Sequence, residues 1–378
     1  MKMGELEQRL GIAAAITCVT IAGIGLSLGV LLISFVLDAR GASGVLIGLV
    51  ATMGGLATIL GAPLTPWLIR RIGLVPTLVA AVILMAMSFG ALYFTDALWL
   101  WFLLRFLNGS GIAALLVASE FWINSLVSFR RRGLVLGLYT AAQSLGFAAG
   151  PALLAAIRPE GFLPFAVGSG VMLAAAVPAF VGATLIPQIK EVARPSLLAF
   201  FTVAPTAMLS AFVFGALEGG MNLLPIYGLR LGEPVTIAAL LATAVALGNV
   251  VFQIPIGLIS DRVDRRRVLF ACGVIALIGT VLMPVTAANT ALFLGVLAVW
   301  GGVVAGLYSV GLALVASEYQ ASALAQANAT FVTYYSLGRV VGPAATGASI
   351  DLWNPHGFTV AIALFLLVYV GVAAFRIR

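Results

Sequence analysis

Apolar runs of about twenty residues recur along the whole chain, separated by short stretches rich in Arg, Gly and Pro. A run of that length crosses a ~30 Å hydrocarbon core as an α-helix rising 1.5 Å per residue. Barrel strands would be shorter and would alternate apolar with polar positions. The pattern predicts twelve transmembrane helices, over residues 11–36, 43–68, 74–95, 97–125, 133–157, 161–187, 200–228, 234–259, 267–286, 289–317, 323–350 and 357–375. The segment before the first run is short and mixed in charge. The run itself is too long for a signal-peptide core, so it is read as a true span.

The pattern repeats. Ser144–Pro151 reads S-L-G-F-A-A-G-P and Ser336–Pro343 reads S-L-G-R-V-V-G-P, 192 positions later. Spans 1 to 3 map onto spans 7 to 9 at an offset of 191: Ala39-Arg40-Gly41 falls on Arg230-Leu231-Gly232, and Arg71 falls on Arg262. Span 4 maps onto span 10 at 198, through Val117–Glu120 and Val315–Glu318. The predicted fold is an all-α polytopic membrane protein of two pseudo-symmetric six-helix bundles, 1–188 and 200–378. A polar linker, 189–199, joins them. Six spans repeated in parallel is a transporter symmetry.

Composition sharpens this. Hydrophobic residues make up 62% and charged residues 9%, against about 25% charged in soluble domains. The net charge of +7 is a matter of topology. Fifteen of the twenty Lys and Arg fall in segments sharing one side of the membrane, and only Arg40, Arg158 and Arg230 fall on the other. By the positive-inside rule both termini are expected in the cytoplasm, and no nucleic-acid partner is expected. Cys18 and Cys272 lie in spans 1 and 9 and read as buried thiols.

Four motifs now carry a resemblance. The stretch Gly257 to Arg266, with Asp261, Arg262, Arg265 and Arg266, is similar to the G-x-x-x-D-R-x-G-R-R loop of the major facilitator superfamily, with Asp264 in place of the second glycine. Its first-half equivalent is degenerate: Pro66 and Arg70 replace the glycine and aspartate, while Arg71 and Gly73 remain. Arg105-x-x-x-Gly109-x-x-x-Ala113 resembles the span 4 motif of that family. Gly146-x-x-x-Gly150-Pro151 resembles the span 5 motif of its drug–proton antiporters. The resemblance implies alternating access by two rocking bundles in a bacterial inner membrane. It also implies that the arginine loop latches the cytoplasmic side. Expected pairs are Glu318 with Arg262 or Arg265, and Glu120 with Arg71, with Asp261 at the positive end of a neighbouring helix; the alternative is plain topogenic charge. Gly146, Gly150 and Pro151, repeated as Gly338, Gly342 and Pro343, are expected to let helices pack closely and bend.

Three charges remain mid-span, where each costs about 2.5–3.5 kcal/mol or more. Glu218 and Arg339 stand twelve residues from Arg230 and Asp351, about 18 Å deep; Arg105 is about 14 Å deep. Their counterparts in the other half, Ser27, Phe147 and Val303, are uncharged. A scaffold that is repeated and charges that are not point to function. Asn328, Tyr335 and Arg339 share one face of span 11, a face interrupted by Val332. Glu218 and Asn222 share one face of span 7. Asn108 stands one turn from Arg105, and Gln143 is the counterpart of Tyr335. These amides and the tyrosine either line a cavity or bond helix to helix. Glu218 is the candidate proton carrier: it trades between apolar surroundings and an arginine, or else forms a static pair with Arg339. Arg339 contacts a substrate anion or Glu218. The resemblance suggests for Arg105 a role in proton coupling or cavity shape, against a packing role.

His356 is the only histidine, and no metal-site spacing exists. No phosphate-binding loop is present, and no nucleophile–base pairing suggests an enzyme. The expected function is secondary active transport, first as proton-coupled export of a small amphipathic organic compound. The alternative is proton-coupled uptake or exchange of an organic anion. A lysolipid or lipid flippase, or a non-transporting assembly factor, is the third reading. Expected partners are a small-molecule substrate and the bilayer, the chain being a monomer. No cofactor is expected beyond the proton gradient.

Overall fold

The computed structural model describes residues 5–126, 132–182, 205–318 and 321–376. The linker expected at 189–199 lies outside them. Among the described residues, helices fall at all twelve predicted spans. Span 1 is α1 (Glu5–Ala39). Span 2 is α2 (Gly44–Gly61) followed by α3 (Thr65–Ile72). Spans 3 to 5 are α4 (Leu74–Ala91), α5 (Leu98–Leu126) and α6 (Arg132–Ile157). Span 6 divides into α7 (Leu163–Ala174) and α8 (Ala176–Val181), and span 7 into α9 (Pro205–Gly220) and α10 (Leu224–Arg230). Spans 8 to 12 are α11 (Val235–Arg262), α12 (Arg265–Thr286), α13 (Thr290–Glu318), α14 (Ala321–Leu352) and α15 (Gly357–Arg376). Among the described residues, ten stretches are long and apolar enough to cross a membrane, and Ala141–Ile157 is a shorter apolar helix.

The three breaks have local causes. Pro63 lies between α2 and α3 and Pro66 in the first turn of α3, and Pro178 follows the break after α7. Gly219-Gly220 and Pro225 flank a 3-10 turn, Met221–Leu223, between α9 and α10. Proline gives no backbone N–H, so the ladder cannot run through. The repeated glycines at the ends of spans 1 and 7 have one role. Gly41 (φ +74°) and Gly232 (φ +94°) take the left-handed backbone that turns the chain out of a helix.

The chain forms two compact units: Met1–Ile33 with Leu56–Val192, and Ser34–Gly55 with Ala193–Arg378. The second unit therefore includes the C-terminal end of α1 and the first part of α2.

The repeated glycines pack helices in both units. In the first, a Cβ on Gly146 would stand 2.4 Å from the Thr20 carbonyl oxygen, and one on Gly150 would stand 2.0 Å from Ser27 Oγ. In the second, a Cβ on Gly338 would lie 2.0 Å from the Phe212 carbonyl oxygen, and one on Gly342 would lie 2.1 Å from that of Ala216. So α6 meets α1, and α14 meets α9, backbone to backbone, as small residues allow in membranes. Pro151 and Pro343 continue inside α6 and α14. Gly338→Ala is therefore expected to cost about 1–3 kcal/mol or more, because the obstructing atom is backbone and cannot swing away. A lowered melting temperature of the purified protein is the readout; an unchanged one would refute the close contact.

Candidate functional site

The break in span 7 places the first half of the site. Pro225 has no N–H to return to the carbonyl three residues earlier, on Asn222. Ser34 Oγ of α1 donates to that oxygen instead, at 2.9 Å. Asn222 thus enters the arrangement through its backbone carbonyl. Glu218 lies just before the break and is half-buried. Irregular backbone at membrane depth is tolerated where it is buried in protein or lines a cavity.

The second half comes from α14. The Tyr335 hydroxyl donates to Glu218 Oε2. One turn on, the Arg339 guanidinium lies over the Tyr335 ring, 5.7 Å from its centroid. The expected direct Glu218–Arg339 pair is not formed. Tyr335 carries its hydroxyl to the carboxylate and presents its ring face to the cation, and so takes both contacts. Among the described residues no carboxylate pairs with Arg339.

An aromatic cluster surrounds Tyr335. Phe214 stacks on it (5.7 Å, 22°), and Tyr308 of α13 meets its edge (5.3 Å, 67°). Tyr308 also meets Phe331, at 5.2 Å. Such pairs fix ring orientation and contribute about 0.5–1.5 kcal/mol each beyond burial. Phe214, Tyr308 and Phe331 do not emerge from a search for buried charge. The available signal is Phe331 four residues before Tyr335, on the same helical face. The side chain of Asn328 lies outside the described residues.

Arg105 sits in the other unit, 3% exposed. Its Nη1 donates to Asn108 Oδ1 at 2.8 Å, and Asn108 Nδ2 donates to the Met85 carbonyl at 3.0 Å. This chain of bonds ties α5 to α4. Gln143 lines a cavity of about 10 Å³ with Val19, Gly23, Met85 and Phe147, room for about one water.

The arginine loop departs from the expected pairing. Glu318 pairs with Arg266 at 2.8 Å, not with Arg262 or Arg265. The cause is Asp264: it caps α12, accepting from the backbone N–H of Arg266 (2.8 Å) and Arg267 (3.2 Å). With α12 starting there, Arg265 reaches back to Asp261, at 3.5 Å, and Arg266 reaches α13. Asp264, the departure from the motif's glycine, is thus the capping aspartate of its own helix. Arg262 ends α11, exposed. Arg71 lies over the Trp67 ring at 5.2 Å and does not meet Glu120; one turn of α3 separates the two, so they share a face. Glu120 is exposed near the end of α5.

Comparison with known proteins agrees with this architecture. The Major Facilitator Superfamily family model matches residues 13–239 and 206–378. The uncharacterized MFS-type transporter YfkF of Bacillus subtilis (strain 168) is 29% identical over 334 residues, 85% of each chain. The uncharacterized MFS-type transporter YcaD of Escherichia coli O139:H28 is 25% identical over 333 residues, 85% of this chain and 84% of that one. Two solved structures share the fold at low identity. The nucleoside transporter NupG has a TM-score of 0.72 at 14% identity, covering 97% of this chain and 96% of that one. A D-xylose-proton symporter has 0.70 at 17%, covering 96% and 97%. With two family matches spanning the chain almost end to end, the protein belongs to the Major Facilitator Superfamily and is a multi-pass secondary transporter.

Proposed function

We propose that this transporter couples proton movement to the passage of a small organic anion, with Glu218 carrying the proton and Arg339 meeting the anion. The observation that carries this reading is the shared tyrosine. Tyr335 holds the Glu218 carboxylate by its hydroxyl, while Arg339 rests on the ring, within electrostatic reach of Glu218 but in ion-pair contact with no carboxylate among the described residues. A half-buried cation at membrane depth seeks a full counter-charge in contact, and an anionic ligand supplies one. A ligand that draws Arg339 away disturbs Tyr335, and with it the bond to Glu218. Binding and protonation are then linked through one side chain. The proton gradient is the driving force, and the arginine distribution supports cytoplasmic termini in a bacterial inner membrane.

Export of an amphipathic compound is the second reading. It rests on the span 5 motif, Gly146 to Pro151. That motif packs α6 on α1 just as its copy packs α14 on α9, which gives it a structural task in both halves and no direction of transport. A thermal-shift screen of the purified protein against organic anions, organic cations and lysolipids, at two pH values, separates the readings. A ligand at ~100 times its Kd stabilises by about 2.7 kcal/mol. Stabilisation by anions is expected. Stabilisation confined to cationic or hydrophobic compounds, and stronger at high pH, would favour export instead.

A further inference from the structure

In the second unit, the first part of α2 lies directly on α14. A Cβ on Gly48 would stand 2.2 Å from the Pro343 carbonyl oxygen, and one on Gly347 would stand 2.0 Å from that of Gly44. Between these points Thr52 Oγ1 donates to the Val340 carbonyl at 2.9 Å. At these glycines the two helices meet backbone to backbone. At its end stands Asp351, in the last turn of α14. Its two carboxylate oxygens accept from the first two N–H groups of α2: Gly44 to Oδ1 and Val45 to Oδ2, both at 2.7 Å. Beside it, Arg230 pairs with Asp38 at 3.3 Å and donates to Asn354 at 3.5 Å.

We propose that Asp351 is a gating residue of the transport cycle: its carboxylate latches the N-terminus of α2 onto α14, and transport requires that latch to open. The first N–H groups of a helix have no intrahelical acceptor and carry the positive end of its dipole. A carboxylate satisfies both with short, charge-assisted bonds. The latch is not part of the repeated scaffold. The position equivalent to Asp351, 192 residues earlier, is Pro159, and α11, the counterpart of α2, begins after Pro234. Asp351 also shares its helix with the site, twelve residues or about 18 Å beyond Arg339. Pro343 lies between them, and a proline inside a helix is a point of bending. Movement of α14 at one end is thereby available to the other.

The test is a spin-label distance measurement on the purified full-length protein. Cys18 and Cys272 are replaced by alanine, and labels are placed on Val45→Cys and Leu352→Cys, whose side chains are exposed. Asp351→Asn keeps the shape but turns an amide N–H₂ toward one of the two N–H donors. It is expected to add a longer distance and to raise the open-to-closed ratio about tenfold or more, the scale set by losing one charge-assisted bond. A distance distribution identical to that of the parent overturns the proposal. If Asp351→Asn is not recovered folded, Asp351→Glu, with its carboxylate one methylene further out, is expected to shift the ratio the same way by less. An unshifted distribution in that variant would overturn the proposal equally.

Discussion

Glu218→Gln protein in liposomes is expected to exchange labelled ligand across the membrane near the wild-type rate, yet to lose all accumulation driven by a pH gradient. Glutamine keeps the length and the acceptor oxygen, so the Tyr335 hydroxyl retains a partner and the aromatic cluster keeps its place. What it lacks is a titratable proton. For one proton per ligand, a gradient of one pH unit is worth about 1.36 kcal/mol, or roughly tenfold accumulation. The wild type should approach that ratio, and the variant should stay at one. Exchange measured without a gradient serves as the control for folding. A variant that still concentrates ligand in proportion to the gradient would remove Glu218 as the proton carrier.

The second large effect is expected at Arg339. Arg339→Gln should weaken anion binding about 10- to 100-fold or more, since charged hydrogen bonds contribute about 1.5–3 kcal/mol each and arginine can offer two in parallel. Arg339→Lys should fall between: it keeps the charge but loses the planar fork and the ring contact. Isothermal titration with the best ligand from the thermal-shift screen measures both. Unchanged affinity in Arg339→Gln, with an altered melting temperature, would make the arginine a packing element of the Tyr335 cluster.

Much of this architecture was legible from periodicity alone. Runs near twenty residues located the helices, because a bilayer leaves the backbone few other options. The internal repeat located the helix contacts, because glycine at 146 and 338 has one physical use in an apolar helix. Partner choice was less legible. A helical face can be read from spacing, but how far each helix is rotated toward its neighbour is set by tertiary contact. Hence Glu218 was foreseen against Arg339, while Tyr335 one turn earlier takes both contacts. Hence too Arg266 replaces its neighbours as the partner of Glu318: Asp264 fixes where α12 starts, and a shift of one residue turns a side chain by about 100°. The break after Glu218 had a signal in Gly219-Gly220 followed by Pro225. The Asp351 latch had none, since its donors lie 307 and 306 residues away and are backbone groups that every residue but proline carries.

The central claim is that one site binds the ligand and the proton together. It is tested most directly by loading liposomes containing the wild-type protein with a pH-sensitive dye and adding a stabilising anion outside, with no imposed gradient. The account predicts a change in lumenal pH that follows ligand entry, needs Glu218 and saturates with ligand. Ligand entry that leaves the lumenal pH unchanged, with the membrane potential clamped, would contradict it.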